Sequence, residues 1–162
     1  MEDIIIIDDD YYKTEYMKHI LSRAFDNPKI YTYGNQEYGL SHIDLYRDSI
    51  DLLVLDWTFP MKEGENPKYA QGLEVLKYLK QNKIDIKTII FSCDDIELTE
   101  KFNNVVSIIK YCPYKSIERE IQDTVNDFNK QLEREKKREK RLMRRLYYTG
   151  YKRKKSSEPW WK

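Results

Sequence analysis

The sequence predicts an α/β protein with a parallel β-sheet covered on both faces. Two observations predict it. Short, strongly β-branched runs such as "DIIIID", "DLLVLD" and "IKTIIFS" are bounded by charged or turn residues and are too short for helices. Stretches with helical spacing alternate with them, and repeated strand–helix units close into a parallel sheet through right-handed crossovers.

Each element follows from its residues. "DIIIID" is the first strand. "YYKTEYMKHILSRAF" has helical spacing at Tyr12, Tyr16, Ile20 and Ala24 or Phe25. "KIYTYG" is a second strand ended by Gly34. Residues 36–48 are weakly helical through Tyr38, Ile43 and Tyr46. "DLLVLD" is the third strand, and "GLEVLKYLKQN" is a helix opened by Gly72. "IKTIIFS" is the fourth strand. A short helix is expected over 95–103, and "NVVSIIK" is the fifth strand. Ile117, Ile121, Val125, Phe128 and Leu132 then form one apolar stripe on a long helix.

Charge divides the chain. The net charge of +1 conceals a body, residues 1–129, with 15 basic and 24 acidic residues, and a tail, residues 130–162, with 14 Lys or Arg against 4 Glu. Two pieces of opposite sign have different jobs. No apolar run approaches the roughly 18 residues of a membrane span. No basic-then-apolar leader is visible, so a cytoplasmic location is expected. Cys93 and Cys112 fit neither a zinc spacing nor a disulfide framework and are expected to pack as small apolar groups. His19 and His42 fall in helical stretches and are read as structural or solvated. Asp10 is read as a helix N-cap.

The strand ends carry the chemistry. Ligands of open parallel sheets bind at the carboxyl ends of the strands. The first strand ends at Asp8 and Asp9, the third at Asp56, the fourth at Ser92 and the fifth at Lys110. Converging carboxylates raise one another's pKa unless a cation sits among them, and a hard divalent ion such as Mg2+ suits an all-oxygen set. Serine and lysine suit an added anion such as a phosphoryl group. The sequence has no Gly-rich phosphate loop, no G-x-S-x-G and no H-E-x-x-H. A haloacid-dehalogenase reading needs a second acid two residues after Asp56, where this chain has Thr58.

The ordered set "IIIIDDD", "LLVLDWTFP", "GLEVLKYLK", "IIFS" and "SIIKYCP" resembles the receiver domain of two-component response regulators over about residues 2–129. The resemblance implies a flavodoxin-like five-stranded sheet of order 2-1-3-4-5. It implies that Asp56 is the phosphoacceptor, that Asp8, Asp9, Asp56 and the Thr58 backbone carbonyl hold Mg2+, and that Ser92 and Lys110 contact the phosphoryl oxygens. Pro60 matches the proline that follows the acceptor. The implied partners are a sensor histidine kinase or phosphotransfer protein and a downstream target protein. The implied role is signalling rather than enzymatic turnover. Rival readings are a receiver-like binding module that works without phosphorylation and a regulated nucleic-acid binder acting through the tail.

Four departures mark this chain. "TFPMKEGENPKYAQG" lengthens the loop after Asp56, which is expected to lie beside the acceptor. Tyr111 and Cys112 separate Lys110 from Pro113. Ser107 stands where an aromatic switch residue is usual, leaving Tyr111 as a substitute. The stretch between Ser92 and Lys110 is short. In the tail, Arg134–Arg138, Lys136–Lys140, Lys137–Arg141, Lys140–Arg144 and Arg141–Arg145 are like-charge i,i+4 pairs, which favour an anionic partner. Leu142, Met143, Leu146, Tyr147 and Tyr148 are a small apolar group suited to pairing two tails. "SSEPWWK" reads as a disordered end with two exposed tryptophans, suited to docking or a membrane interface.

Overall fold

The computed structural model describes residues 2–111 and 118–156. The chain divides into two compact units, Met1–Val125 and Asn126–Lys162. In the first unit the element order is β1 (Asp3–Ile7), α1 (Tyr11–Ala24), β2 (Lys29–Tyr33), α2 (Gln36–Tyr46), β3 (Ile50–Leu55), α3 (Gln71–Gln81), β4 (Lys87–Ser92) and β5 (Val105–Lys110). The final helix, α4, spans Glu118–Ser156. The five strands are parallel in the order β2-β1-β3-β4-β5. The expected fold class and strand order are therefore observed.

The central strands explain their own position. Ile4 to Ile7 of β1 and Leu52 to Leu55 of β3 are buried on both faces, as continuous apolar runs in a helix-covered sheet must be. Ile5, Ile7, Leu53, Leu55, Trp57, Phe59, Val75, Leu76, Leu79, Ile86 and Ile90 form one cluster beneath α2 and α3. On α4, Ile121 and Val125 are buried. Ile117 of the same expected stripe lies outside the described residues.

The structure corrects three sequence expectations. Residues 95–103 form no helix. Ile96 and Leu98 both pack on the core at extended spacing, Phe102 is buried, and Asn104 ties the segment down by donating to the Ile86 carbonyl and Thr88 Oγ1. The buried face of α1 is also rotated. It consists of Lys13, Thr14, Met17, Ile20 and Leu21, while Tyr12 is 81% exposed. Asp10 fixes that rotation by accepting from the Tyr12 and Lys13 backbone N–H groups as the N-cap. Finally, Cys93 is exposed rather than packed. Cys112 and Pro113 lie outside the described residues, as does the end segment 157–162.

The histidines are structural or solvated, as read. His19 is exposed. His42 lies against the rings of Tyr31, Tyr33 and Tyr46, with its Nδ1 2.6 Å from the Tyr33 hydroxyl.

The long loop after β3 is built. Trp57 and Phe59 anchor it in the core, and Phe59 bridges to Lys68 in an antiparallel pair. Gly64 takes the left-handed φ of +82° at its turn, a conformation that glycine adopts without steric cost. The loop also finishes α2: the Gln36 and Glu37 N–H groups donate to the Pro60 and Met61 carbonyls at 3.1 and 3.0 Å. Those are first-turn donors with no partner inside the helix. The Asn35 side chain caps the same end by accepting from the Tyr38 N–H. At the loop's far end, a Cβ on Gly72 would stand 2.4 Å from the Asp56 carbonyl oxygen, so only glycine lets α3 start this close to β3.

In the second unit α4 continues without a break through Gly150. Lys130–Asp127 and Lys137–Glu133 are attractive pairs in it, at 3.1 and 3.8 Å. Leu142 and Met143 are exposed. Among the described residues no helix is long and apolar enough to cross a membrane.

Candidate functional site

Sheet register builds the site. Ile7 pairs with Leu55, so the next residues, Asp8 and Asp56, emerge side by side from the two central strands. The Asp56 N–H donates to the Ile7 carbonyl and the Asp8 N–H to the Tyr33 carbonyl, both at 2.9 Å, which fixes the two backbones beyond the strand ends. Asp8 and Asp56 are buried and Asp9 is exposed. One carboxylate oxygen from each lies within 4.8 Å of the others. Asp56 also accepts from the Trp57 N–H at 2.7 Å, and Asp8 from the Asp10 N–H at 2.9 Å.

A fourth group stands among these acids. Lys13 is 4% exposed, and its Nζ lies 3.0 Å from Asp8 and 2.8 Å from Asp56. It occupies the third position of α1, where the first turn brings the side chain back over the strand ends. Burial acts to lower the Lys13 pKa, but Asp8 and Asp56 outweigh it by charge and hydrogen bonding, and the ammonium is held above its usual range. Asp8 responds oppositely. Burial first, then the Asp56 charge, pushes its carboxyl up to about 7, against the lowering effect of Lys13. Asp9 is raised as well, by partial dehydration and then by Asp56.

The remaining candidates surround this core. Ser92 is buried at the end of β4 and pairs in register with Lys110 of β5. Thr58 donates its hydroxyl to Asp94 at 2.7 Å, and Ser92 Oγ lies 3.4 Å from the same carboxylate. Asp94 thus ties the end of β3 to the end of β4. The Lys110 ammonium pairs with Asp95, in the loop after β4, and both side chains are exposed. Tyr111 packs between Phe91 and Tyr16, and its N–H donates to the Ser92 carbonyl at 2.7 Å.

The structure therefore brings together Asp8, Asp9 and Asp56, places Ser92 and Thr58 on a shared partner, and turns the Lys110 ammonium to Asp95. Sequence reasoning missed Lys13 and Asp94. The signal for Lys13 was its helical register with Met17, Ile20 and Leu21, four, seven and eight residues on, which are the apolar residues of the buried face.

Three carboxylates with oxygens this close, two of them buried, match in number, hardness and spacing the oxygen set of a divalent ion. Lys13 shares two of the three.

No protein-family model and no curated protein matches the chain. Solved structures do. The response regulatory domain of mrkE from Klebsiella pneumoniae is similar with a TM-score of 0.64 and 14% identity, over 82% of this chain and 98% of that one. The Mn(2+)-bound form of response regulator Rcp1 has a TM-score of 0.60 and 16% identity, over 76% and 91%. A DNA-binding response regulator of the LuxR family from Staphylococcus aureus has 0.57 and 21%, over 80% and 99%. At these identities the likeness is one of fold: the chain has the fold of a response-regulator receiver domain.

Proposed function

We propose that the chain is a receiver module phosphorylated on Asp56 by a histidine kinase or phosphotransfer protein, signalling by contact with a downstream protein in the cytoplasm. It is not an enzyme beyond its own phosphoryl transfer and loss. The observation that carries this reading is the buried Asp56 at the end of a central strand, with Asp8 and Asp9 in reach of the same point and Ser92 on the neighbouring strand.

An Asp56 oxygen attacks phosphorus in line with the leaving imidazole. The new O–P bond forms as the P–N bond breaks, and the histidine nitrogen takes up a proton. Asp8, Asp9, Asp56 and the Thr58 carbonyl would hold magnesium, which supplies positive charge to the phosphoryl oxygens. Ser92 donates its hydroxyl to one phosphoryl oxygen, leaving Asp94. Lys110 exchanges Asp95 for another, and a surface ion pair of this kind is worth only about 0–1 kcal/mol, so the exchange is cheap. Tyr111, held on the Ser92 backbone, carries the change outward.

A second reading has its own observation. Lys13 already pairs with Asp8 and Asp56, and Lys110 already has Asp95. A domain satisfied in this way can serve as a binding module without phosphorylation. Incubation with acetyl phosphate and magnesium separates the readings by intact mass. The receiver gains one phosphoryl group and the Asp56→Asn chain none; a wild-type chain that stays unmodified favours the binding module.

A further inference from the structure

Lys13 is buried in the acidic pocket, bridges Asp8 and Asp56 at 3.0 and 2.8 Å, and is fixed there by the helix cap that Asp10 forms on its own backbone N–H. Buried lysines are rare, and this one spans the two buried members of the carboxylate set that would hold a divalent ion. An ammonium and a divalent cation on the same two carboxylates repel strongly in a poorly hydrated pocket. One must leave for the other to stay.

We propose that Lys13 is a tethered counter-cation of this pocket: it holds Asp8 and Asp56 together by itself, and magnesium binds only by displacing its ammonium. The proposal rests on the reading of Asp8, Asp9 and Asp56 as the metal ligands. It has two consequences. The pocket folds without metal, because Lys13 already offsets part of its negative charge. Metal affinity is lowered, because part of the binding free energy is spent in expelling a cation that cannot diffuse away. Lys13 thereby sets the divalent-ion concentration at which the module becomes competent, and its displaced side chain changes the surface over α1 and the Asp56 pocket.

The test uses the full chain with magnesium alone. Calorimetric titration should show that Lys13→Met binds magnesium at least tenfold more tightly than wild type, while Lys13→Arg, which keeps the charge, stays weak. Equal or weaker binding by Lys13→Met overturns the proposal, including the case in which neither chain binds. Should Lys13→Met fail to fold, the wild-type chain decides. With 15N-labelled lysine, the Lys13 ammonium should give a solvent-protected NMR signal without metal that is lost to fast exchange as magnesium saturates. A signal unchanged at saturation overturns the proposal. Phosphoryl uptake is read separately. A chain in which magnesium expels Lys13 but Asp56 accepts no phosphoryl group contradicts the receiver reading alone. A chain phosphorylated on Asp56 with an unmoved Lys13 contradicts this inference alone.

Discussion

The ammonium of Lys13 lies 2.8 Å from a carboxylate oxygen of Asp56, and both side chains are almost wholly buried. This pair joins the first turn of α1 to the end of the central strand β3. It puts a cation inside what would otherwise be a bare acidic pocket. Removing one partner of a buried pair leaves the other charge uncompensated, which costs about 3–5 kcal/mol in comparable cases.

Asp8 should make stability depend on pH. In the folded chain its carboxyl holds a proton up to about 7, whereas the unfolded chain loses it near 3.8. The folded state binds the extra proton between those values, so the stability carried by Asp8 falls as pH rises across that window and is level above it. Asp8→Asn should remove the slope. The variant should match wild type at the acid end and be the more stable of the two near neutrality. Urea unfolding across the window measures this, and parallel pH profiles for the two chains would count against the assignment.

Gly72→Ala should destabilise the fold although alanine is the better helix former by about 1 kcal/mol. The added Cβ meets the Asp56 carbonyl oxygen at 2.4 Å and the Trp57 Cα at 3.2 Å, both backbone atoms that cannot swing aside. A net loss of about 1–3 kcal/mol is expected from such overpacking. Denaturant midpoints decide it: an unchanged or raised midpoint means the close approach of α3 to β3 is not tight.

The Thr58–Asp94 hydrogen bond should hold the ends of β3 and β4 in register. Thr58→Val keeps the shape and removes the donor, and about 1 kcal/mol of stability should go with it. Amide exchange should speed up in the loop after Ser92 and nowhere in β1. Uniform or absent acceleration would show that Asp94 is anchored by other contacts.

Much of this was legible in the sequence, and the rest failed for identifiable reasons. The strands could be read because Ile4–Ile7 and Leu52–Leu55 are buried on both faces, so continuous apolar runs mark them without ambiguity. The residues that end those runs gave Asp8, Asp9 and Asp56, and the end of the fourth strand gave Ser92. The face of α1 was misread because Tyr12 looks apolar yet is 81% exposed, and that error placed Lys13 outside the buried face. The irregular link from β4 to β5 was taken for a helix because its apolar residues are few, and only packing on the core shows their spacing to be extended. Lys110 could be placed on its strand, but its choice of Asp95 depends on a loop conformation that local sequence does not set.

The basic tail should behave as a helix weakened by its own charge. Like-charge i,i+4 pairs cost about 0.2–0.5 kcal/mol each and are screened by salt. The helicity of a peptide covering residues 126–156 should rise with ionic strength, by circular dichroism. If the partner is nucleic acid, a labelled duplex should bind the full chain, fall off steeply with salt, and fail to bind a chain ending at Asn129. Equal weak binding by both would remove nucleic acid as the partner and leave the apolar group at Leu142 and Met143 as the tail's contact.

The most direct measurement is the position of the phosphoryl group. After reaction with acetyl phosphate and magnesium, hydride reduction converts an aspartyl phosphate to homoserine, which peptide mass spectrometry assigns to one residue. The receiver account predicts homoserine at position 56 and at no other aspartate, with none formed in the Asp56→Asn chain. Homoserine at Asp8 or Asp9, or no conversion at a magnesium concentration that displaces Lys13, would contradict it.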